Sequence, residues 1–168
     1  LTKKNNEEYG RLFKALYGFE TIGLRYFNVY GPRQDPESQY AAVIPRFITA
    51  LLSGNRPIIY GSGQQSRDFT YVKDVVQANL LALEAPSAAC GAAYNIGRGD
   101  QVNLLTLLGT LQSLLNTCVE AQFDPPRAGD VMHSSADTSR AEEMLAFKAV
   151  NDLRTGLEQS IEWYRNNL

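Results

Sequence analysis

The run TIGLRYFNV, residues 21–29, constrains the fold more than any other stretch of the chain. Branched and aromatic side chains crowd a helix and suit a pleated strand, so the run reads as β. It follows a helical pattern in which Tyr9, Leu12, Phe13 and Leu16 share one face between Thr2 and Tyr17, with Gly18 as the stop. An apolar strand directly behind a helix belongs in a parallel sheet, with hydrogen-bonding neighbours on both edges. No earlier segment of these residues supplies one of those neighbours. An apolar edge left bare is an aggregation hazard, so the expectation is a piece of a longer protein, or a chain that pairs with another copy.

Downstream, the period keeps switching. GPRQDP is a turn, and residues 41–54 form a helix in which Pro45 is tolerable only in the first turn and Gly54 is the end. PIIYG and RDFTYV read as short strands around the loop SGQQS, followed by a helix over residues 74–84 that Asp74 caps. AYNIG is a strand, LLTLLGTLQSLL a helix and VEAQFD a strand; two helices close the chain, over 139–145 and 152–166. The class is α/β. The order does not repeat as strict βαβ units, so a complete doubly wound sheet is not expected.

With 168 residues, 44% of them hydrophobic and 20% charged, the chain is long enough for one domain or a large part of one. A net charge of -2 argues against nucleic acid and anionic membranes, so a bound anion must be met by a few local arginines. No apolar run approaches the roughly 20 residues that span a bilayer, and no secretory leader is visible; a soluble, cytoplasmic protein is expected. Cys90 and Cys118 lack metal-ligand spacing and read as core thiols, a disulfide between them staying open. No metal site is expected.

Five segments, LRYFNVYGPRQDP, AAVIPRF, IYGSGQQSRDFTYVKDV, AYNIG and PPRAGDVMHSSAD, occur in an order and spacing that resemble the NAD-dependent epimerase/dehydratase family of extended short-chain dehydrogenases. The resemblance covers almost the whole chain and, through AAVIPRF and GDVMHSSAD, is greatest to UDP-N-acetylglucosamine 4-epimerases. It implies that residues 1–30 are the last helix and strand of an NAD-binding Rossmann domain whose N-terminal half is absent. Residues 31–168 would be the sugar-nucleotide-binding region. The parent would interconvert C4 epimers of a UDP-hexose, UDP-GlcNAc and UDP-GalNAc by preference, through an NAD-dependent 4-keto intermediate. UDP-glucuronate decarboxylase or sugar-nucleotide dehydratase chemistry is the alternative within the family. A free-standing, non-catalytic UDP-binding or assembly module is the alternative outside it.

The family's Tyr-x-x-x-Lys pair aligns so that Lys3 is the lysine and the tyrosine falls before Leu1. A cation one helical turn away favours the phenolate, moving a side chain with an ordinary pKa near 10 toward use as a base. The resemblance also gives Lys3 a hydrogen bond to the nicotinamide ribose and puts Tyr26, Phe27 and Val29 near the nicotinamide. Without the tyrosine and the phosphate-cradling loop, these 168 residues are expected neither to turn over nor to bind NAD. The first helix, which helps build the dimer interface of relatives, implies self-association or a homodimer.

Asn28 stands at a strand end, where open α/β sheets hold ligands, although by itself, ahead of a Gly-Pro turn, it reads as a turn residue. The resemblance assigns it to the phosphate region of the substrate, and Ala42, Val43, Ile44 and Pro45 to the uracil. Tyr60 lines the base pocket or caps a core edge. Arg67 and Arg127 match the pyrophosphate-binding arginines, since guanidinium groups meet phosphates with paired hydrogen bonds. Taken alone, Arg67 reads as a surface partner for the neighbouring aspartate, and its register with RDFTYV reverses that reading. Asp130 matches a position that accepts from the uridine ribose. Arg33 approaches the ligands or pairs with Asp35, and His133, the single histidine, reads as structural.

Overall fold

A computed structural model describes residues 2–37 and 42–168. Helix α1 (Thr2–Tyr17) ends where Gly18 turns left-handed at φ 66° and its N–H reaches the Lys14 carbonyl at 3.0 Å. Strand β1 (Ile22–Tyr26) follows, and it pairs in parallel with β6 (Ala92–Ile96) from Ile22 opposite Ala92 to Tyr26 opposite Ile96. Among the described residues the other edge of β1 carries no ladder.

The single strand expected over 21–29 is two. Asn28 adopts φ 28°, a region that asparagine tolerates better than most residues, and breaks the pleat before β2 (Val29–Tyr30). RDFTYV is interrupted too. β4 (Ser66–Arg67) runs antiparallel to β7 (Val102–Asn103), while β5 (Thr70–Tyr71) runs parallel to β2, with Asp68 and Phe69 buried between. A third parallel pair joins β3 (Ile58–Tyr60) to β8 (Gln122–Asp124).

Five further helices cover the strands. In α2 (Val43–Leu52) Pro45 is the third residue, so its missing N–H costs no intrahelical bond. Ala41 of the expected 41–54 helix lies outside the described residues. Helix α3 (Val72–Leu83) starts two residues before Asp74, which therefore is not its cap. Asp74 is instead buried and accepts from Val150 N at 3.1 Å and from Asn151 Nδ2 at 2.7 Å, tying α3 to the connection between α5 (Ser139–Leu145) and α6 (Leu153–Asn167). Side-chain caps do open α4 (Leu104–Leu115), through Asn103 to Thr106 N, and α6, through Asp152 to Thr155 N, each at 2.7 Å.

Two apolar clusters result. The larger joins α2, α4 and α6 around Tyr30, Phe47, Ile59, Tyr71, Leu107, Leu111 and Tyr164; the smaller gathers Tyr94, Ile96, Val75 and Phe147. Helix α1 buries no residue and leaves Tyr9, Leu12, Phe13, Leu16 and Tyr17 exposed. The cysteines are free thiols. Neither lies in the core, because Cys118 is exposed in the loop after α4 and Cys90 half-buried after a short turn of 3-10 helix. No helix among the described residues is long and apolar enough to cross a membrane.

Candidate functional site

A cavity of about 560 Å³ opens beside the larger core, where β2, the start of α2, β3, β4 and the loop after β8 converge. Asn28, Val29, Ala42, Val43, Ile44, Tyr60, Arg67, Arg127 and Asp130 line it. Segments separated by a hundred residues therefore meet on one wall.

The arginines are held in distinct ways. Arg127 lies over the Tyr60 ring, its Cζ 3.8 Å from the ring centroid, a cation-π contact that holds the guanidinium on the phenol face. Arg67 donates to the Ser66 carbonyl at 2.8 Å and pairs with the Asp130 carboxylate. The partner of Arg67 is thus not the adjacent Asp68 but a residue from the loop after β8. Gln65 Nε2 donates to the Tyr60 carbonyl at 2.6 Å, bracing β3 against β4. Asn28 Nδ2 reaches the Asp68 carbonyl at 3.1 Å, and the Asn28 carbonyl accepts from Thr70 N at 3.3 Å, so its left-handed backbone is pinned from both sides.

At the α2 end, Ala42 has no side-chain cap to offer. The first-turn N–H groups of a helix have no intrahelical partner, and here they open beside residues that line the cavity. Counting side chains on the wall, Arg46, Arg56, Arg67 and Arg127 stand against Glu37 and Asp130, four cations to two anions. A chain of net charge -2 has concentrated positive charge in one hollow. That arrangement suits a ligand with a flat polar ring and a multiply charged anionic group.

Four expected residues do not line the cavity. Pro45 is buried, because the third position of α2 turns it into the core. Lys3 is exposed in the first turn of α1, on a separate element. Tyr26 is 47% exposed at the end of β1 and its hydroxyl donates to Asn79 Oδ1 at 3.0 Å, which leaves its ring and the acceptor side of its oxygen to a ligand. Phe27 is half-buried, with its N–H on the Ile96 carbonyl at 3.0 Å. Arg33 stands at φ 68° without pairing to Asp35, whose carboxylate accepts from Glu37 N at 2.8 Å. His133 Nδ1 lies 2.9 Å from Ser66 Oγ and its backbone bridges to Ser66, as a structural histidine would.

Sequence reasoning missed Arg46, Arg56, Gln65 and Phe69. Arg46 is three residues past Val43 on the same helix, so helical spacing could have found it. Arg56 is occupied by the Glu120 and Ala121 carbonyls, at 3.3 and 2.9 Å, a contact only the fold creates.

A family model described as the NAD dependent epimerase/dehydratase family matches residues 1–97. A provisionally named UDP-glucose 4-epimerase of Methanocaldococcus jannaschii is 41% identical over 167 residues, covering 99% of this chain and 53% of its own length. A UDP-N-acetyl-alpha-D-glucosaminuronate decarboxylase of Bacillus cytotoxicus is 34% identical over 168 residues, covering 96% of this chain and 51% of its own length. Among solved structures, a UDP-N-acetylglucosamine 4-epimerase from Methanobrevibacter ruminantium M1, in complex with UDP-N-acetylmuramic acid, superposes with a TM-score of 0.93 at 37% identity. It matches 98% of this chain and 52% of that one. The chain spans about half the length of the relatives it matches. With more than half of its residues inside the family model, this chain belongs to the NAD-dependent epimerase/dehydratase family.

Proposed function

We infer that the chain is the substrate-binding part of an NAD-dependent nucleotide-sugar 4-epimerase and that its cavity holds the UDP portion of a UDP-hexose. One observation carries this reading: Asn28, Ala42 to Ile44, Tyr60, Arg67, Arg127 and Asp130, which the family resemblance assigns to one ligand, line a single cationic hollow. Arg67 and Arg127 meet the diphosphate, Asp130 the ribose hydroxyls, and the open first turn of α2 the uracil edge. The division into residues 1–30 and 31–168 is part of the proposal. So is the choice of UDP-GlcNAc and UDP-GalNAc, supported by the likeness to the M. ruminantium enzyme.

For the cofactor, the donor set at the end of β1 and the start of α1 fits a role beside the nicotinamide: an exposed ammonium on Lys3, the ring of Tyr26, the half-buried Phe27, and Val29 on the cavity wall. NAD, when bound by the parent protein, supplies a reversible hydride acceptor. The residues here orient its nicotinamide face and keep the sugar within reach. Alone, the 168 residues are proposed to be inactive and not to bind NAD. A cytoplasmic location and a homodimer through α1 complete the reading. Decarboxylation of a UDP-uronate is the second reading, supported by the B. cytotoxicus relative. Carbon dioxide release from a UDP-uronate by the parent protein would favour it.

Titration calorimetry tests the central claim. The chain is expected to bind UDP and to prefer it to ADP. Replacing Arg127 by Leu removes a charge-assisted contact worth about 1.5–3 kcal/mol and should weaken UDP roughly 10- to 150-fold. No UDP binding at millimolar concentration, or equal affinity in R127L, would refute it.

A further inference from the structure

Two carboxylates, Asp68 and Asp74, are almost fully buried, at 0% and 2% exposure, and neither forms an ion pair among the described residues. A buried charge is costly unless hydrogen bonds surround it. Each has such a set, and what differs is what each one holds.

The Asp68 carboxylate accepts from three backbone N–H groups, all at 2.9 Å: Arg98 on Oδ1, and Gly99 and Ala136 on Oδ2. Its own carbonyl accepts from Asn28 Nδ2. The segment leading to Ala136 is stitched to β4 by Ser66 N to the Met132 carbonyl at 2.8 Å and by Ser134 N to the Ser66 carbonyl at 3.2 Å. Directly before that segment come Arg127 and Asp130. We propose that Asp68 is a positioning residue for the nucleotide site, its carboxylate anchoring residues 132–136 against β4 so that Asp130 and Arg127 stand opposite Arg67. The inference rests on the reading that the cavity binds UDP.

Asparagine cannot replace it. With two acceptor oxygens serving three N–H donors, an amide would turn an NH₂ toward at least one of them. Gly97, directly before Arg98 in the chain, also closes on this carboxylate: a Cβ there would lie 2.8 Å from Asp68 Oδ2 and 2.5 Å from Ala136 Cβ, so G97A must push the anchor aside. Asp74 is the matched control. It clamps Val150 and Asn151, which do not line the cavity, by bonds of the same kind.

The test compares the 168-residue chain with D68N, G97A and D74N, by UDP titration calorimetry and by hydrogen exchange. D68N and G97A should weaken UDP at least about tenfold, the loss expected when a charge-assisted contact to the anion is displaced. Exchange should rise in residues 97–99 and 130–136. D74N should instead raise exchange near 150–153 and keep UDP affinity within about twofold. If D68N does not fold, G97A decides. Unchanged affinity in D68N or G97A, or an equal loss in D74N, overturns the proposal. If the unmodified chain fails to bind UDP, the reading of the cavity is wrong, and the exchange data decide the anchoring alone: protection at 130–136 unaltered in D68N overturns it.

Discussion

Replacing Gly156 by Ala in α6 separates two kinds of reasoning, because helix propensity and packing give opposite signs. On propensity alone, Gly to Ala inside a helix stabilises by about 1 kcal/mol. In the fold, the new methyl would overlap the Tyr30 hydroxyl and lie 2.9 Å from Tyr30 Cζ and Tyr71 Cδ2. Neither ring can give way, since Tyr30 is 2% exposed, Tyr71 1%, and they pack at 5.5 Å between centroids. Overpacking costs about 1–3 kcal/mol. Displacing Tyr30 also strains its hydroxyl bond to the Leu153 carbonyl, at 3.2 Å, worth about 1 kcal/mol net. Less the propensity gain, G156A should destabilise by about 1–3 kcal/mol. For a chain of this size each kcal/mol moves the melting temperature by roughly 2–4 °C, so calorimetry should show a fall of about 2–12 °C. An unchanged or raised melting temperature would refute the reasoning.

Two further outcomes follow from buried and exposed aromatic residues. Burial, with Asp35 adding to it, pushes the Tyr164 phenol up to about 12, and burial likewise raises Tyr30, so the folded chain keeps protons that the unfolded chain releases near pH 10. Their contribution is complete below pH 10 and declines as pH rises through 12, by up to about 1.4 kcal/mol per pH unit for each. Denaturant titrations from pH 9 to 12 should show this decline, and a flat stability would contradict it. The exposed row of Tyr9, Leu12, Phe13, Leu16 and Tyr17 on α1 predicts concentration-dependent self-association that L12E weakens. Light scattering that reports monomer throughout would count against the proposed dimer face.

Much of the site was legible because its residues sit at turns and element ends, where chain order preserves their spacing. Tyr60 and Arg67 flank one loop, and Arg127 and Asp130 share another. What sequence reading blurred were features that depend on distant backbone. TIGLRYFNV looks continuous because most of its residues are β-branched or aromatic on both sides of Asn28; the break at Asn28 comes from its ties to Asp68 and Thr70. Asp74 looks like a cap because it precedes an apolar helical face. Its partners, Val150 and Asn151, lie 76 and 77 residues away.

Local pattern thus determined the element types and the helix stops at Gly18 and Gly54, because side-chain periodicity and turn chemistry act over a few residues, while the family was legible from the resemblance of five motif segments in order. Only the tertiary structure decided which polar groups face the cavity and which are spent inside. Asp130 and Asp68 are both carboxylates close to Arg67, yet one pairs with the guanidinium at the cavity wall and the other is buried under three N–H groups. A carboxylate's role follows from the donors that reach it, and those donors come from chain segments that only folding brings together.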